Sequence, residues 1–455
     1  MAAKELSLGF YGGAGQTTGS NFLISDGEKR ILIDCGLTQG CRFCEDVNRD
    51  PFHYDPKGVD ALLVTHAHID HVGRIPKLVR DGFRGTIYST PPTREIAELM
   101  MMDSLGVLGK EARGEGKPLI YEEADVLKAM SLWKEIPYHE AFSIGEFSID
   151  MKDAGHILGS SVFVCTYGGK KIAFTGDLGN SPAPLLRDTE ALTGLDYLVI
   201  ESVYGDREHE GVSRRKEMLE GIIEDTVRRG GTLMIPAFSL ERTQELLYEI
   251  NSLVEGGRIP KLPIYIDSPL AIDVTRIYKK YTNYFNSDAR GIIKSGDDIF
   301  NFPGLEFTYT TEESKAIRNV KPPKIVIAGS GMSNGGRIIH HEKLYLPDSS
   351  STLLIIGYQV PGSLGRMLQD GVKSVRILGE DVMSRARIET IRGYSAHKDS
   401  SGLLDIVAGS ADTLKRVFVV LGEPRSSLFL AQRVKDYLGI EATVPTLGAE
   451  FTIPV

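Results

Sequence analysis

Apolar residues along the first part of the chain come in short runs separated by glycine-rich or polar turns. Leu6 to Tyr11, Asn21 to Ser25 and Arg30 to Asp34 read as hairpin strands. The buried-type run Ala61 to Val64 leads through a polar turn into Ile75 to Val79, which has the spacing of a short helix. A strand at Thr86 to Ser89 follows, then a helix over Thr93 to Leu108 with Thr93 and Glu95 suited to its first turn. Met100, Met101 and Met102 in that helix read as core filling. Phe147 to Lys152, Lys171 to Thr175 and Asp196 to Ile200 are further strands. Past Asp206, strand-like runs alternate with helix-like ones: Thr232 to Ile235 then Leu240 to Leu253, Pro263 to Ile266 then Leu270 to Tyr278, Lys324 to Ala328 then Arg337 to Leu344. Such alternation is that of a parallel sheet covered by helices. The end of the chain adds Arg387 to Ile391 and Arg416 to Leu421 as strands, with helices near Ser400 to Val407 and over Ser427 to Leu438.

At 455 residues the chain can bury one or two substantial cores, and its 42% hydrophobic and 25% charged residues are those of a globular protein. Met1 to Phe10 lacks the basic and then apolar pattern of an export signal, and no run reaches membrane-spanning length. The expectation is a soluble, cytoplasmic protein with no membrane partner. Four cysteines, Cys35, Cys41, Cys44 and Cys165, are too few for a disulfide framework and fit a reducing compartment. Cys41 and Cys44 form a lone CxxC and read as loop thiols. The formal charge of −9 is uneven. From Asp206 to Ser395 there are 26 Lys and Arg against 25 Asp and Glu, leaving 26 against 36 elsewhere. This argues against broad duplex binding through a basic face, but not against a phosphodiester substrate, because bound metal ions would offset acidic charge locally.

The candidate chemistry starts after Ala61 to Val64, where His66-x-His68-x-Asp70-His71 places three imidazoles and a carboxylate on one strand-to-helix turn. Neutral imidazole and carboxylate are ligands that zinc accepts, and a short rigid turn lowers the entropic cost of bringing them together. Two later strand ends deliver His156 and Asp177. A dinuclear site needs three or four protein ligands per metal plus a bridge, and Asp177 is the natural bridge. Asp34, also at a strand end, points a carboxylate toward the same edge or simply forms a turn.

Taken in order, Asp34, His66-x-His68-x-Asp70-His71, His156, Asp177 and Glu201 resemble the β-CASP nuclease branch of the metallo-β-lactamase superfamily. IPAFSLERTQELL, IDSPLAIDVTRIY, GSGMSNGGRIIHH and GYQVPGSLGRML resemble the inserted β-CASP domain of its RNA-processing members, and GYSAHKD brings His397 to the place of a further family motif. The resemblance implies an α/β fold, an αββα sandwich interrupted by an inserted α/β domain, with a cleft between two lobes. The expected division is 1–205 and 388–455 for the sandwich, with 206–387 inserted.

The resemblance further implies two zinc ions, His66, His68 and His156 on one, Asp70 and His71 on the other, bridged by Asp177. Asp34 would orient a ligand. Metal-activated hydroxide would attack the phosphodiester, and His397, backed by Glu201, would protonate the leaving oxygen. Ser330, Gly331, Gly335, Gly336 and Arg337, between a strand and a helix, are expected phosphate contacts, as are Ser363 and Arg366 by resemblance. Leu421 departs from the pattern, since RNA nucleases of the family usually carry histidine there, completing the second metal. The expected function is a zinc-dependent ribonuclease on single-stranded RNA. The alternatives are a DNA nuclease of the same fold, or a nucleic-acid-binding protein with a degenerate metal site. A second copy of the chain, forming a homodimer, is a further candidate partner.

Overall fold

The computed structural model describes residues 5–40, 44–209, 212–357, 359–360 and 362–455. Cys41 of the CxxC, and Tyr358 and Pro361 of the GYQVPGSLGRML segment, lie outside them. The chain forms two compact units, one reaching to Glu208 and resuming at His397–Val455, the other His209–Ala396.

The first unit holds two seven-stranded sheets. In one, the strands run in the order Glu450–Pro454, Glu5–Gly12, Asn21–Ser25, Arg30–Ile33, Ala61–Leu63, Thr86–Ser89, Trp133–Glu135. In the other the order is Glu441–Thr443, Arg416–Val420, Tyr197–Glu201, Lys170–Phe174, Ser161–Tyr167, Phe147–Asp153, Phe142–Ile144. Inward apolar positions of both sheets make one core, including Phe10, Phe22, Ile33, Phe163, Phe174, Val199 and Phe418. Phe10 meets Phe22 and Phe451 edge-on at ring centroids 5.6 and 5.8 Å apart, geometries favoured by the ring quadrupole. The outer face of the second sheet is covered by Leu403 and Val407 of helix Ser400–Ala408 and by Leu430 and Val434 of helix Pro424–Leu438.

The second unit is built on a six-stranded, wholly parallel sheet. Its order is Leu305–Phe307, Ile264–Asp267, Lys324–Ala328, Thr232–Pro236, Thr352–Ile356, Arg387–Ile391. The alternating pattern is realised with small boundary shifts: helices run Arg242–Glu255, Pro269–Lys280 and Ile338–Tyr345. Arg387–Ile391 differs from expectation. It does not return to the first unit but pairs in parallel with Thr352–Ile356 as the sheet's last strand, Leu353 opposite Ile388 and Ile356 opposite Ile391. Periodicity identifies such a strand but not its partner.

The helix expected over Thr93 to Leu108 runs Pro91–Glu115. Thr90 caps it by accepting from the Thr93 amide, Pro91 opens it, and Gly116 ends it in the left-handed conformation. Of its three methionines only Met101 is fully buried. No helix among the described residues is long and apolar enough to cross a membrane.

Glu342, fully buried in helix Ile338–Tyr345, has no charged partner among the described residues. Ser333 Oγ donates to its Oε1, whereas Oε2 has no hydrogen-bond partner among the described residues. Burial pushes this carboxyl up to about 7. The folded chain therefore holds the proton more tightly than the unfolded chain, and stability falls as pH rises from the ordinary glutamate value toward 7. Glu342→Gln is expected to be more stable than the parent at pH 8, on the order of 2 to 3 kcal/mol, and nearly equal to it at pH 4. Denaturant unfolding at the two pH values checks this; a constant difference between the proteins would refute it.

Candidate metal centre

Strand Ala61–Leu63 ends in Val64 and Thr65, and the chain turns at once into the short helix Ile69–Val72, with His68 as its N-cap. The turn is fixed by backbone bonds from Cys35 N to His71 O at 2.8 Å and from Ser20 N to Asp70 O at 3.0 Å. Gly36 is required here, since a Cβ on it would lie 1.5 Å from the Asp70 carbonyl oxygen. Asp34 stands just past strand Arg30–Ile33 with φ 58°, fully buried. Its carboxylate accepts from Thr65 N at 2.8 Å, Thr65 Oγ1 at 2.9 Å and Ser20 Oγ at 3.0 Å, and lies 2.8 Å from His71 Nδ1. That contact leaves Nε2 of His71 facing the other way.

From the second sheet, strand Phe147–Asp153 delivers His156, whose amide is held by Ser160 Oγ at 3.0 Å. Strand Lys170–Phe174 delivers Asp177. One ligand atom from each of His66, His68, His156 and Asp177 falls within 4.8 Å of all the others. His68 Nδ1 is 3.2 Å from both His66 Nε2 and His156 Nε2, and Asp177 Oδ2 is 3.4 Å from His66 Nε2 and 3.6 Å from His156 Nε2. The other oxygen, Asp177 Oδ1, is 3.4 Å from His71 Nε2, which in turn is 3.9 Å from Asp70 Oδ2. Thus the two oxygens of one carboxylate face two groups of candidate ligand atoms.

This donor set fits a metal on its own physical grounds. His71 Nε2 is buried with no hydrogen-bond partner among the described residues, an arrangement costly unless a ligand meets it. Burial, then the neighbouring His66, holds His68 well below the ordinary imidazole range; burial, then His397, does the same for His156. Both are the neutral rings that metal ligation needs. Burial opposes charge on His71, yet Asp177, Asp34 and Asp70 outweigh it and push the ring well above its usual value. These carboxylates call for positive charge at that spot, which a cation would supply.

A second cluster adjoins the first. Glu201, fully buried at the end of strand Tyr197–Glu201, accepts from Leu178 N at 2.7 Å and from Val203 N at 3.3 Å. Its Oε1 is 3.2 Å from His397 Nδ1, while Asp177 Oδ2 is 3.9 Å from the same nitrogen. Burial would lower His397, but the Glu201 carboxylate, by charge and hydrogen bond, overrides this with Asp177 and Asp70, raising it to about 9. His397 is held in line by a bridge to Gly179 and by Lys398 N bonding to Leu178 O at 2.8 Å.

Leu421 follows strand Arg416–Val420 with φ 48°. Its side chain, 1% exposed, belongs to the core between the sheets, and a Cβ on Gly13 would come within 2.6 Å of its Cδ2. The position is spent on packing.

In the second unit, the expected phosphate contacts divide. Arg337 is a correction: its Nη1 donates to Asp267 Oδ1 at 2.7 Å and Thr308 O at 3.0 Å, and Nη2 to Tyr309 O at 2.5 Å. Asp267 also accepts from Thr308 Oγ1 at 2.7 Å and Ser314 Oγ at 2.6 Å, with His341 Nε2 2.7 Å away, so the guanidinium belongs to a buried brace. This buried carboxylate near the sheet, which sequence reasoning passed over within IDSPLAIDVTRIY, explains both Arg337 and His341. Arg366 Nε likewise pairs with Asp370 at 2.9 Å, and Ser363 Oγ caps helix Leu364–Gln369 by accepting from Arg366 N. The amides of Leu364 and Gly365 are taken by Asn334 Oδ1 and Met332 O, which closes that helix start to an anion. In Ser330–Gly336, by contrast, the amides of Gly331, Gly335 and Gly336 donate no hydrogen bond among the described residues.

A two-sheet sandwich whose strand ends gather histidines and aspartates able to hold a metal has the donor set that metal-assisted hydrolysis uses. The family profiles agree: residues 14–203 match the metallo-beta-lactamase superfamily, 243–368 the Beta-Casp domain, and 381–445 the Zn-dependent metallo-hydrolase RNA specificity domain. Among curated relatives, Ribonuclease TTHA0252 of Thermus thermophilus is 39% identical over 93% of this chain and 94% of its own length. An RNase J-like protein of Methanocaldococcus jannaschii is 32% identical over 97% and 98%, and transcription termination factor FttA of Methanosarcina mazei 31% identical over 96% and 70%. A solved structure of a protein of unknown function from Enterococcus faecalis shares the fold, with TM-score 0.58 and 14% identity over 99% of this chain and 100% of that one. The chain belongs to the β-CASP branch of the metallo-β-lactamase superfamily.

Proposed function

We propose that this protein is a zinc-dependent ribonuclease that hydrolyses phosphodiester bonds of single-stranded RNA. The observation that carries the reading is the convergence of His66, His68, His156 and Asp177 beside a His397 ring tied to Glu201. The choice of RNA rests on the match of 381–445 to an RNA specificity domain and on the ribonuclease named among the relatives. His66, His68, His156 and Asp177 would hold one zinc; Asp70, His71 and Asp177 would hold a second, with Asp34 fixing the ring of His71. Zinc held by these residues would supply Lewis acidity toward a phosphate and a water. His397 donates a proton to the leaving oxygen, and Glu201, 3.2 Å from its Nδ1, orients the ring. With leucine at 421, the second site would offer fewer protein ligands and would hold a zinc more weakly.

Elemental analysis is expected to find about two zinc equivalents per chain, the second lost first on dialysis. A denaturing-gel time course with end-labelled RNA and DNA of equal sequence is expected to show RNA cleaved, and cleavage stopped by chelator. Preferential cleavage of DNA would favour the DNA-nuclease alternative; a folded sample with no transition metal and no cleavage would favour a binding protein.

A further inference from the structure

The carboxyl ends of three adjacent parallel strands in the second unit, Thr232–Pro236, Lys324–Ala328 and Ile264–Asp267, carry a group that the catalytic reading does not use. After the first of these strands comes Phe238, a large aromatic ring left 44% exposed. Thr243 Oγ1 donates to the Phe238 carbonyl at 2.8 Å, and a Cβ on Gly331 would lie 2.7 Å from Phe238 Cδ2 and 2.8 Å from Cε2. Only glycine at 331 lets the ring rest against the backbone of the Ser330–Gly336 loop, whose Gly331 amide has no partner among the described residues. Beside it, Ser239 Oγ and Ser268 Oγ are 3.2 Å apart, and a Cβ on Gly329 would lie 3.8 Å from each.

An exposed aromatic face, hydroxyls and open backbone amides at the carboxyl end of a parallel sheet are the parts that bind one nucleotide: the ring takes a base face, the amides a phosphate. We propose that Phe238 is a stacking platform for a nucleobase of the single-stranded RNA substrate. The inference rests on the ribonuclease reading and adds a contact to the base to it. Every base has a π-face, so Phe238 contributes affinity with little preference for sequence. It also favours unpaired RNA, since a base in a duplex has no free face to offer.

The test is equilibrium binding of the full chain to a fluorescent phosphorothioate oligoribonucleotide and to the same backbone with abasic sites. Phe238→Ala is expected to weaken binding to the base-containing strand by about tenfold or more, and Phe238→Tyr by less than about twofold. Against the abasic strand, parent and variant should bind alike, because the interaction deleted is with a base. Phe238→Leu keeps apolar packing on Gly331 while losing the ring, so it should weaken binding as alanine does even if alanine disturbs the loop. Equal affinity of parent, alanine and leucine variants for the base-containing strand would overturn the proposal and leave the ribonuclease reading intact. An equal loss on both strands would overturn it too, marking Phe238 as a support of the loop. A parent chain that binds neither strand would instead sink the ribonuclease reading.

Discussion

Asp177→Ala is expected to strip the chain of bound metal and lower RNA cleavage on the order of a thousandfold or more. Its Oδ2 faces His66 and His156 and its Oδ1 faces His71, so one substitution removes a ligand from both proposed sites. Lewis-acid stabilisation of a phosphoryl transition state is worth several kcal/mol, and each 1.36 kcal/mol is about tenfold in rate. Burial would raise this carboxyl, but His71 and His66 hold it well below the usual carboxylate range, which favours the ionised form a metal needs. Metal content by elemental analysis and single-turnover cleavage check the expectation, with circular dichroism to confirm the fold. A variant that kept both metal equivalents would show that Asp177 is not the bridge.

His397→Ala should separate chemistry from metal binding. Loss of a positioned proton donor costs on the order of a hundredfold or more, while His66, His68, His156 and Asp177 remain in place and metal content should not change. The geometry allows a competing outcome, because His397, Asp177 and Glu201 also bring ligand atoms within 4.8 Å of one another. If zinc falls together with activity in this variant, His397 is a ligand, and the leaving-group proton comes from elsewhere.

The ligand cluster was legible because its parts are local. A buried run followed by His66-x-His68-x-Asp70-His71 is a strand-to-helix turn whatever the rest of the chain does, and His156 and Asp177 follow strands recognisable from alternation. The expectation for Asp34 came from its place at a strand end and from family resemblance; its contact with His71 Nδ1 gives that expectation a geometry. Arg337 was misread for a physical reason. A cation beside a glycine-rich turn looks free until its partner is known, and Asp267 lies seventy residues away in the chain. The Arg387–Ile391 strand was misplaced similarly, because its apolar pattern suits either sheet and only the parallel register with Thr352–Ile356 decides. Phe238 falls within IPAFSLERTQELL, but its exposure could not be read there, because an exposed phenylalanine and a core one are written alike.

The proposed ligands arrive from both leaves of the sandwich: His66, His68, Asp70 and His71 follow a strand of one sheet, His156 and Asp177 follow strands of the other. An ion coordinated by all of them is a cross-link as well as a reagent. It joins segments distant in the chain, His68 and His156 being 88 residues apart, and it reinforces the bonds from Ser161 N to Thr65 O and from Leu421 N to Gly13 O that already tie the two sheets there. Unfolding must therefore release it, and folding free energy takes on a dependence on free metal concentration, about 4 kcal/mol when metal stands a thousandfold above its dissociation constant. The proposed metal-binding rim of this unit would then also be its clasp, and metal starvation would loosen the molecule as well as silence it.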